Sequence, residues 1–265
     1  MAAVSAAVLG VSTMPFDLTD QVILVTGAGR GLGRAAAELL AQYGAIVGIA
    51  DIDAATPHQV AAGIAERGGL AYPLVGDVGE RAVFLKLAAD LARRHGRIDG
   101  VVNAAMWIRY EPIAQVRDEA FDRMLDVGLK AAVWSSQALL AHRDPHRAAA
   151  IVNFSSPAAD QGYPDTAIYA SVKGAIIALT RTLSVELGRQ GVRVNAITPG
   201  AVPTPGARAV VDEAGYELRR RKTPLGRLGR EEDIANMVAF LFSSEAEFVN
   251  GAILHVDGGV SVTAG

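Results

Sequence analysis

The chain contains no cysteine among its 265 residues. This absence excludes disulfide bonds, thiolate metal ligands and a cysteine nucleophile, and it fits a protein of the reducing cytoplasm. Aromatic residues make up only 6% of the sequence, and the formal net charge is −3. Nucleic-acid binding depends on clustered lysine and arginine that neutralise phosphates, which this charge balance does not predict. The one basic run, at residues 219–222, is interpreted as a solvated helix end.

The sequence also has little that would place the chain at a membrane or around a metal. Residues 1–14 are mildly apolar but carry no basic segment, and they are too few to span a bilayer. We expect residues 1–17 to form a loose extension and not a targeting signal. His142 and His146 fall at a predicted helix end and in the following loop, where solvated histidines are common. No metal site, membrane partner or nucleic-acid partner is therefore predicted.

What the sequence does contain is a regular alternation of short β-branched stretches with helical patterns. The predicted strands cover residues 21–26, 45–50, 70–75, 100–103, 150–154, 192–197 and 252–257. The predicted helices cover residues 34–43, 54–67, 80–95, 118–141 and 231–242, and one more helix holds Tyr169 and Lys173 and continues to residue 187. This alternation predicts an α/β fold, with a doubly wound, mostly parallel sheet of about seven strands and helices on both faces. With 51% hydrophobic residues, the segment 18–265 is expected to form a single domain.

A glycine-rich turn follows the first predicted strand. Gly27, Gly31 and Gly33 have a G-x-x-x-G-x-G spacing between that strand and a helical pattern. Glycines allow close backbone approach and positive φ, and the N–H groups at the start of a helix can hold a pyrophosphate. The turn therefore predicts a dinucleotide cofactor.

The choice between NAD and NADP depends on two charged residues near this turn. Asp51 ends the second predicted strand, where a carboxylate in a doubly wound sheet faces the adenosine ribose. It would accept hydrogen bonds from the ribose hydroxyls and repel a 2′-phosphate. Arg30 acts in the opposite direction because a guanidinium can pair with a phosphate. We give the carboxylate the greater weight and expect NAD.

Three side chains further along the chain could handle a proton. Tyr169 and Lys173 lie four residues apart in a predicted helix, so they share one face. Ser156 precedes the tyrosine by thirteen residues and follows a predicted strand. A free phenol titrates near pH ~10, and a cation beside it favours the phenolate. Taken alone, however, the pattern also fits an ordinary surface helix.

Residues 203–222 are rich in proline, glycine and charge. They are expected to form a loop with a short helix that acts as a lid at the carboxyl edge of the sheet. The helix of Tyr169 has apolar residues on more than one stripe. One face is expected to meet the sheet and the other a second subunit, so a homodimer or homotetramer is predicted.

Seven motifs occur in order between residues 18 and 259. They are Thr26-Gly27-x-x-x-Gly31-x-Gly33, Asp77-Val78, Asn103-Ala104-Ala105, Ser156, Tyr169-x-x-x-Lys173, Pro199-Gly200 and Thr204. In this combination the chain resembles the single-domain short-chain dehydrogenase/reductase family over nearly its whole length. The resemblance implies that Tyr169 exchanges a proton with the substrate oxygen and that Ser156 orients this oxygen. It also implies that Lys173 binds the nicotinamide ribose and lowers the pKa of the phenol.

The same resemblance implies cofactor contacts at the glycine turn, at several strand ends and at the start of the lid. These residues are Gly27, Arg30, Gly31, Leu32, Asp51, Ile52, Asp77, Val78, Asn103, Ala104, Tyr169, Lys173, Pro199, Val202 and Thr204. Asp77 would contact the adenine, and Asn103 would lie on the cofactor side of the fourth strand. The backbone of Val202, together with Thr204, would hold the carboxamide.

The chain departs from the family pattern at two positions. Gly128 stands where an asparagine is usual in the long helix, and Met106 stands where a glycine is usual. Glycine keeps the backbone carbonyl that helps to hold a water beside the lysine in related enzymes, so Gly128→Asn is expected to change turnover only modestly. Arg109 is the one candidate for gripping a substrate carboxylate. The remaining pocket is expected to be apolar or aromatic and to include Met106, Trp107, Pro157, Tyr163 and Gly200.

These residues predict a cytoplasmic oxidoreductase that transfers a hydride between NAD(H) and a secondary alcohol or ketone. NADP is the less favoured cofactor, and the partner is a small-molecule substrate. One alternative is a dinucleotide-binding scaffold or sensor whose active site has decayed at Gly128. Another is a reductase of C=N or C=C bonds on the same fold. Retention of Ser156, Tyr169 and Lys173 argues against the first alternative.

Overall fold

A computed structural model describes residues 15–263, so the extension expected at residues 1–17 lies almost entirely outside the described residues. The strands are β1 Val22–Thr26, β2 Ile46–Asp51, β3 Leu70–Val75, β4 Gly100–Asn103, β5 Ala149–Phe154, β6 Val192–Pro199 and β7 Ile253–Val256. The helices are α1 Gly31–Gln42, α2 Thr56–Glu66, α3 Arg81–His95, α4 Asp118–Leu125, α5 Ala131–His142, α6 Ala167–Gly188, α7 Pro205–Arg208, α8 Glu213–Lys222 and α9 Glu231–Phe242.

The seven strands form one sheet in the order β3-β2-β1-β4-β5-β6-β7. Every pairing among them is parallel, which confirms the predicted doubly wound α/β fold. The strand order reverses between β1 and β4, which pair with Thr26 opposite Asn103. Ligands of open α/β sheets bind in the crevice at such a reversal, beyond the carboxyl ends of the strands.

Both faces of the sheet are covered, as the apolar strand sequences require. One core cluster packs α1, α2 and α9 against the sheet through residues such as Leu40, Ile64 and Val238. The other packs α3, α5 and α6 through residues such as Phe84 and Leu139. The sheet is therefore held rigid, and the loops at its carboxyl edge are free to vary.

The helix predicted over residues 118–141 is interrupted. A π-helical turn, Asp126–Lys130, joins α4 to α5. Such single wide turns lie frequently at functional sites, and this one has Gly128 at its centre. Helix α1 begins at Gly31, inside the glycine turn and earlier than predicted, so its first N–H groups belong to the turn itself.

Helix α6 is the one helix within residues 15–263 whose length and composition would suffice to cross a membrane. It packs along β6 and buries Val172, Ile176 and Leu187 in the core. Its other side leaves Val185 82% exposed. The helix therefore belongs to the core of the fold on one side and presents apolar surface on the other.

Candidate active site

The carboxyl ends of β1, β4 and β5 are tied together by side-chain hydrogen bonds. The amide nitrogen of Asn103 donates to Asn153 Oδ1 and to Ser135 Oγ, each at 2.8 Å. Thr26 Oγ1 accepts from the backbone N–H groups of Ala104 and Ala105, each at 3.2 Å. The buried Oδ1 of Asn103 has no hydrogen-bond partner among residues 15–263. It is an acceptor placed at the crevice where a cofactor is expected.

The glycine turn is built so closely that side chains are excluded from it. Gly27 has φ +64°, and a Cβ there would lie 2.7 Å from the Cα of Ala105. Gly31 has φ +58°, and its missing Cβ faces Thr204 at 3.2 Å. Gly33 packs against the carbonyl of Gly27. The turn thus offers bare backbone at the start of α1, which fits a pyrophosphate of a dinucleotide.

Asp51 lies directly beside this turn. Its Oδ2 accepts from the N–H of Gly29 at 2.9 Å, and its Oδ1 accepts from the N–H of Asp53 at 3.2 Å. The carboxylate is therefore fixed in place at the end of β2 before any ribose arrives. Arg30 and Ile52 are both exposed, with Ile52 at 61%. Their side chains border the adenosine end of the crevice without closing it.

Asp77, the residue expected at the adenine, already has partners within the chain. Arg123 of α4 pairs with it at 2.8 Å and 3.0 Å, and the N–H of Gly79 donates to it at 2.8 Å. Its neighbour Val78 is 7% exposed. The carboxylate therefore anchors α4 to the loop after β3, and any contact with an adenine adds to this structural role.

Ser156, Tyr169 and Lys173 converge beyond the ends of β5 and β6. Ser156 precedes a short 3₁₀ turn, Pro157–Ala159, and its Oγ accepts from the N–H of Ala158 at 3.2 Å. Tyr169 and Lys173 lie in the first two turns of α6. The side chains of Ser156 and Tyr110 lie close enough to the Tyr169 phenol to act on its pKa. The geometry thus unites the three predicted residues and adds a second phenol.

The second phenol, Tyr110, belongs to the segment after β4. Its ring packs edge-on against that of Tyr169, with ring centroids 5.4 Å apart and planes at 77°. Burial is the main cause that raises the pKa of Tyr110 well above its usual range. It therefore stays protonated at all working pH values, and can donate a hydrogen bond to the Tyr169 oxygen.

Burial also raises the pKa of Tyr169, while hydrogen bonds from Ser156 and Tyr110 act to lower it. The ammonium of Lys173 lies 5.8 Å from the ring centroid. Its Nζ donates to the carbonyl of Phe154 at 2.8 Å, and burial lowers its pKa from 10.5 to about 8. Hydrogen bonds therefore favour the phenolate in the protein alone, and the role that the family resemblance implies for Lys173 stays a prediction.

The two departures from the family pattern contact each other. A Cβ on Gly128 would lie 2.8 Å from the Sδ of Met106 and 2.6 Å from a methyl of Val172. The thioether of Met106 therefore fills the space that a side chain at position 128 would need. Gly128→Asn would collide with both neighbours, so the expected modest effect of this substitution does not follow from the structure.

The remaining pocket residues are less closely grouped. Trp107 is 36% exposed, and Tyr163 is 44% exposed with its hydroxyl donating to Gln161 at 2.8 Å. A Cβ on Gly200 would lie 2.6 Å from the Cα of Asp257, so that position serves packing between β6 and β7. Arg109 pairs with the buried Glu111 at 2.9 Å, and so its guanidinium is already engaged.

Sequence reasoning missed Tyr216, the single buried residue of α8 in the lid. The only sequence signal is its position as the lone aromatic residue in a charged segment. Its phenol and the charge of Arg219 both act on the pKa of Tyr110, which places the lid near the catalytic side chains.

Comparisons with known proteins agree with this geometry. A family profile described as Enoyl-(Acyl carrier protein) reductase matches residues 27–261. The 2-(S)-hydroxypropyl-CoM dehydrogenase 3 of Xanthobacter autotrophicus is 34% identical over 249 residues, which cover 92% of this chain and 98% of the relative. The 4-formylbenzenesulfonate dehydrogenase of Comamonas testosteroni is 36% identical over 254 residues, covering 93% of this chain and all of the relative.

Solved structures give the same result. A gluconate 5-dehydrogenase from Burkholderia cenocepacia, crystallised with NADP and tartrate, has a TM-score of 0.89 and 31% identity, covering 94% of this chain and 98% of its own. The relatives are oxidoreductases, and a nicotinamide dinucleotide is the cofactor that their structures and this glycine turn support. With its all-parallel sheet, its glycine turn and the convergence of Ser156, Tyr169 and Lys173, the chain belongs to the short-chain dehydrogenase/reductase family.

Proposed function

We propose that the protein transfers a hydride between NAD(H) and a secondary alcohol or ketone that carries an apolar or aromatic group. The observation that carries this proposal is the grouping of the Tyr169 phenol with Ser156, with the ring of Tyr110 at 5.4 Å and with the buried Lys173 at 5.8 Å. Such a set can hold an oxygen and move a proton to or from it.

The chain's own residues would act on the substrate oxygen. Ser156 Oγ donates a hydrogen bond that fixes this oxygen, and Tyr169 gives its proton to the oxygen during reduction or removes the proton during oxidation. Tyr110 stabilises the charge left on Tyr169 through its own O–H. A bound nicotinamide supplies or accepts the hydride. Lys173, with its pKa lowered to about 8 by burial, lies where it can exchange a proton near neutral pH.

NAD is the proposed cofactor, and Asp51 is the reason. Its carboxylate is already held by two backbone N–H groups, so it would not turn away from an incoming 2′-phosphate. Solved relatives such as the Burkholderia gluconate 5-dehydrogenase bind NADP, which makes the choice of cofactor an experimental question. Repulsion between the fixed carboxylate and a phosphate supports NAD.

An aromatic substrate is supported by the pocket and by two relatives. Trp107 and Tyr110 lie in the segment after β4, and Tyr163 lies in the segment after β5. The ring of Tyr110 packs against that of Tyr169. One relative is named for 4-formylbenzenesulfonate and another, 34% identical, for a hydroxy(phenyl)methyl succinyl-CoA. Both names describe an aromatic ring next to the carbon that carries oxygen.

A panel of hydrophobic and aromatic secondary alcohols and ketones, with NAD and NADP, tests the proposal through the absorbance of the reduced nicotinamide. We expect turnover of aromatic ketones or alcohols with NAD(H), at a higher kcat/KM than with NADP(H). If the protein binds the cofactor but turns over none of these alcohols or ketones, the proposal is wrong.

A second reaction is favoured by the description of the matching family profile, which names an enoyl reductase. Reduction of a C=C bond next to a carbonyl would use the same phenol to deliver the proton. The panel therefore includes α,β-unsaturated ketones, and analysis of the products distinguishes a saturated ketone from an allylic alcohol.

We also infer that the protein is a cytoplasmic homodimer or homotetramer. The absence of cysteine supports a reducing compartment. The exposed apolar side of α6, with Val185 at 82% exposure, and the fully exposed Phe248 support association through apolar surface.

A further inference from the structure

The lid contains a buried phenol without a hydrogen-bond partner. Helix α8 buries a single side chain, that of Tyr216, which is 3% exposed. The hydroxyl of Tyr216 makes no hydrogen bond with any described residue. Buried polar groups are almost always paired, so an unpaired one indicates a ligand or a function that supplies the partner.

Two arginines flank this phenol. The guanidinium of Arg208, at the end of α7, lies 5.5 Å from the centre of the Tyr216 ring. Arg208 and Arg219 both line a cleft of about 550 Å³ in the lid, and Tyr216 lies next to this cleft, under the guanidinium of Arg208. The positive charges and the phenol O–H are all hydrogen-bond donors, and they complement a group that only accepts hydrogen bonds.

Arg208 and Arg219 are paired less closely with carboxylates than the neighbouring Arg220 and Arg221 are. Arg220 and Arg221 share the carboxylate of Glu217 at 2.6 Å and 2.8 Å. Arg219 has no carboxylate within 4.0 Å among residues 15–263, and it donates only to the carbonyl of Gly215 at 3.1 Å.

Two acidic residues lie near the cleft, and each is engaged with a group other than Arg219. Arg208 has only Glu213, at 3.6 Å and 88% exposed. Asp212 also lines the cleft, but its Oδ1 accepts from the N–H of Gly215 at 2.8 Å as the cap of α8. The two arginines and these two carboxylates balance in formal charge, and Arg219 is the guanidinium of this group that has no carboxylate partner among residues 15–263.

The lid places this cluster beside the reacting centre. Its first anchor, Thr204, lies against Gly31 of the glycine turn, and its last, Thr223, lies against Gly258 after β7. Between them the lid crosses the carboxyl edge of the sheet. Arg219 and Tyr216 both act electrostatically on the pKa of Tyr110, whose ring lies 5.4 Å from that of Tyr169.

We propose that Arg208, Tyr216 and Arg219 bind an anionic group, a carboxylate or sulfonate, at the end of the substrate remote from the reacting carbon. This proposal rests on the proposed function and narrows its substrate class to anionic alcohols or ketones. Arg109, the candidate from the sequence, is replaced in this role because Glu111 already neutralises it. An acceptor on the substrate would complete the hydrogen bonding of Tyr216.

The same donors could instead hold a phosphate of the dinucleotide, since the lid begins beside the glycine turn. The two sources share their chemistry but differ in what a variant changes. If a variant of the cluster loses the preference for an anionic over a neutral substrate, the cluster binds the substrate. If a variant instead binds the dinucleotide more weakly and keeps that preference, the cluster binds the cofactor and the proposal is wrong.

The test compares 4-acetylbenzoate with its methyl ester, two ketones that differ by one charge. Binding to the protein saturated with reduced nicotinamide dinucleotide is measured by calorimetry, and turnover is measured where it occurs. The unmodified protein is expected to bind the acid more tightly than the ester. Arg219→Gln and Tyr216→Phe are each expected to lower this preference about tenfold, the size of one charge-assisted hydrogen bond.

Arg221→Gln is the matched control. Arg221 lies on the same helix, is exposed and pairs with Glu217, so its removal is expected to leave the acid-to-ester ratio unchanged. The proposal is wrong if the unmodified protein binds both ketones equally. It is also wrong if Arg219→Gln, Tyr216→Phe and Arg221→Gln all change the acid-to-ester ratio by the same amount. Because calorimetry needs no turnover, this result is independent of the test of hydride transfer, and failure of one does not imply failure of the other.

Discussion

Asp51 is the residue on which the cofactor preference depends. Two backbone N–H groups hold its carboxylate at the end of β2. Asp51→Ser removes the charge and keeps a small acceptor for the ribose. We expect the ratio of kcat/KM for NADP to that for NAD to rise at least about tenfold, because one relieved charge repulsion is worth more than about 1.4 kcal/mol.

Arg30→Gln gives the opposite control, since it removes the one cation of the glycine turn. Its ratio of NADP to NAD use is expected to fall or stay constant. A protein that already prefers NADP, with no change on Asp51→Ser, would show that the carboxylate does not face the ribose.

Lys173 carries a free-energy cost that depends on pH. Burial lowers its pKa from 10.5 to about 8, so between these values the unfolded chain binds more protons than the folded protein. The free energy of unfolding therefore rises with pH across this window. Below about pH 8 both states are protonated and the full cost of the buried ammonium is present.

Lys173→Met removes this dependence. Relative to the variant, the unmodified cofactor-free protein should gain about 2 kcal/mol of unfolding free energy between pH 7 and pH 9.5. Urea denaturation at both pH values measures this difference. Lys222→Met is the control because Lys222 is exposed in α8. The difference in unfolding free energy between the unmodified protein and this variant should be the same at both pH values. A Lys173→Met difference that stays constant with pH would refute the lowered pKa.

At the scale of elements, the π turn Asp126–Lys130 and the segment after β4 fit together as one unit. Met106 fills the space beside Gly128. Gly128→Asn alone should destabilise the protein by about 1–3 kcal/mol through overpacking. Adding Met106→Gly should recover part of this loss, so that the two changes are non-additive by about 1 kcal/mol or more.

Denaturation of the two single variants and the double variant measures this coupling. Dinucleotide affinity serves as the control, because neither residue lies in the glycine turn. Strict additivity would show that the thioether and the residue at 128 do not compete for the same space.

The interruption of the long helix could not have been predicted from the sequence. The apolar pattern of residues 118–141 continues through the π turn, and glycine is compatible with either geometry. The contact of Met106 with Gly128 joins residues more than twenty positions apart, and no local pattern encodes it. The strands, by contrast, were predicted to within about two residues because β-branched runs end sharply at glycine, asparagine or aspartate.

At the scale of the whole molecule, the order of motifs predicted the fold and brought Ser156, Tyr169 and Lys173 to one place. The sequence could not predict how the lid folds, because charge and proline content do not say which side chain turns inward. Tyr216 does so, and it lies near Tyr110 only through the tertiary fold. The side chains at the substrate end of the site could therefore be identified only from the three-dimensional structure.

The exposed apolar side of α6 leads to a prediction about assembly. Light scattering at micromolar concentration is expected to give a dimer or tetramer, and Val185→Glu is expected to shift the mass downward. Ile113→Glu, at an apolar position that is 69% exposed in a short 3₁₀ turn, is expected to leave the mass unchanged. A clean monomer for the unmodified protein would contradict the inferred assembly.

The central claim is that Tyr169 moves the proton at the substrate oxygen. Tyr169→Phe keeps the ring beside Tyr110 and removes only the hydroxyl. We expect kcat for the best ketone of the panel to fall by at least about 10², with the Kd of the dinucleotide changed less than about threefold. The matched Tyr72→Phe variant removes a phenol hydroxyl from the edge strand β3, where the ring packs against His95, and it should retain the turnover of the unmodified protein. If Tyr169→Phe keeps the turnover of the unmodified protein, the account is wrong at its centre.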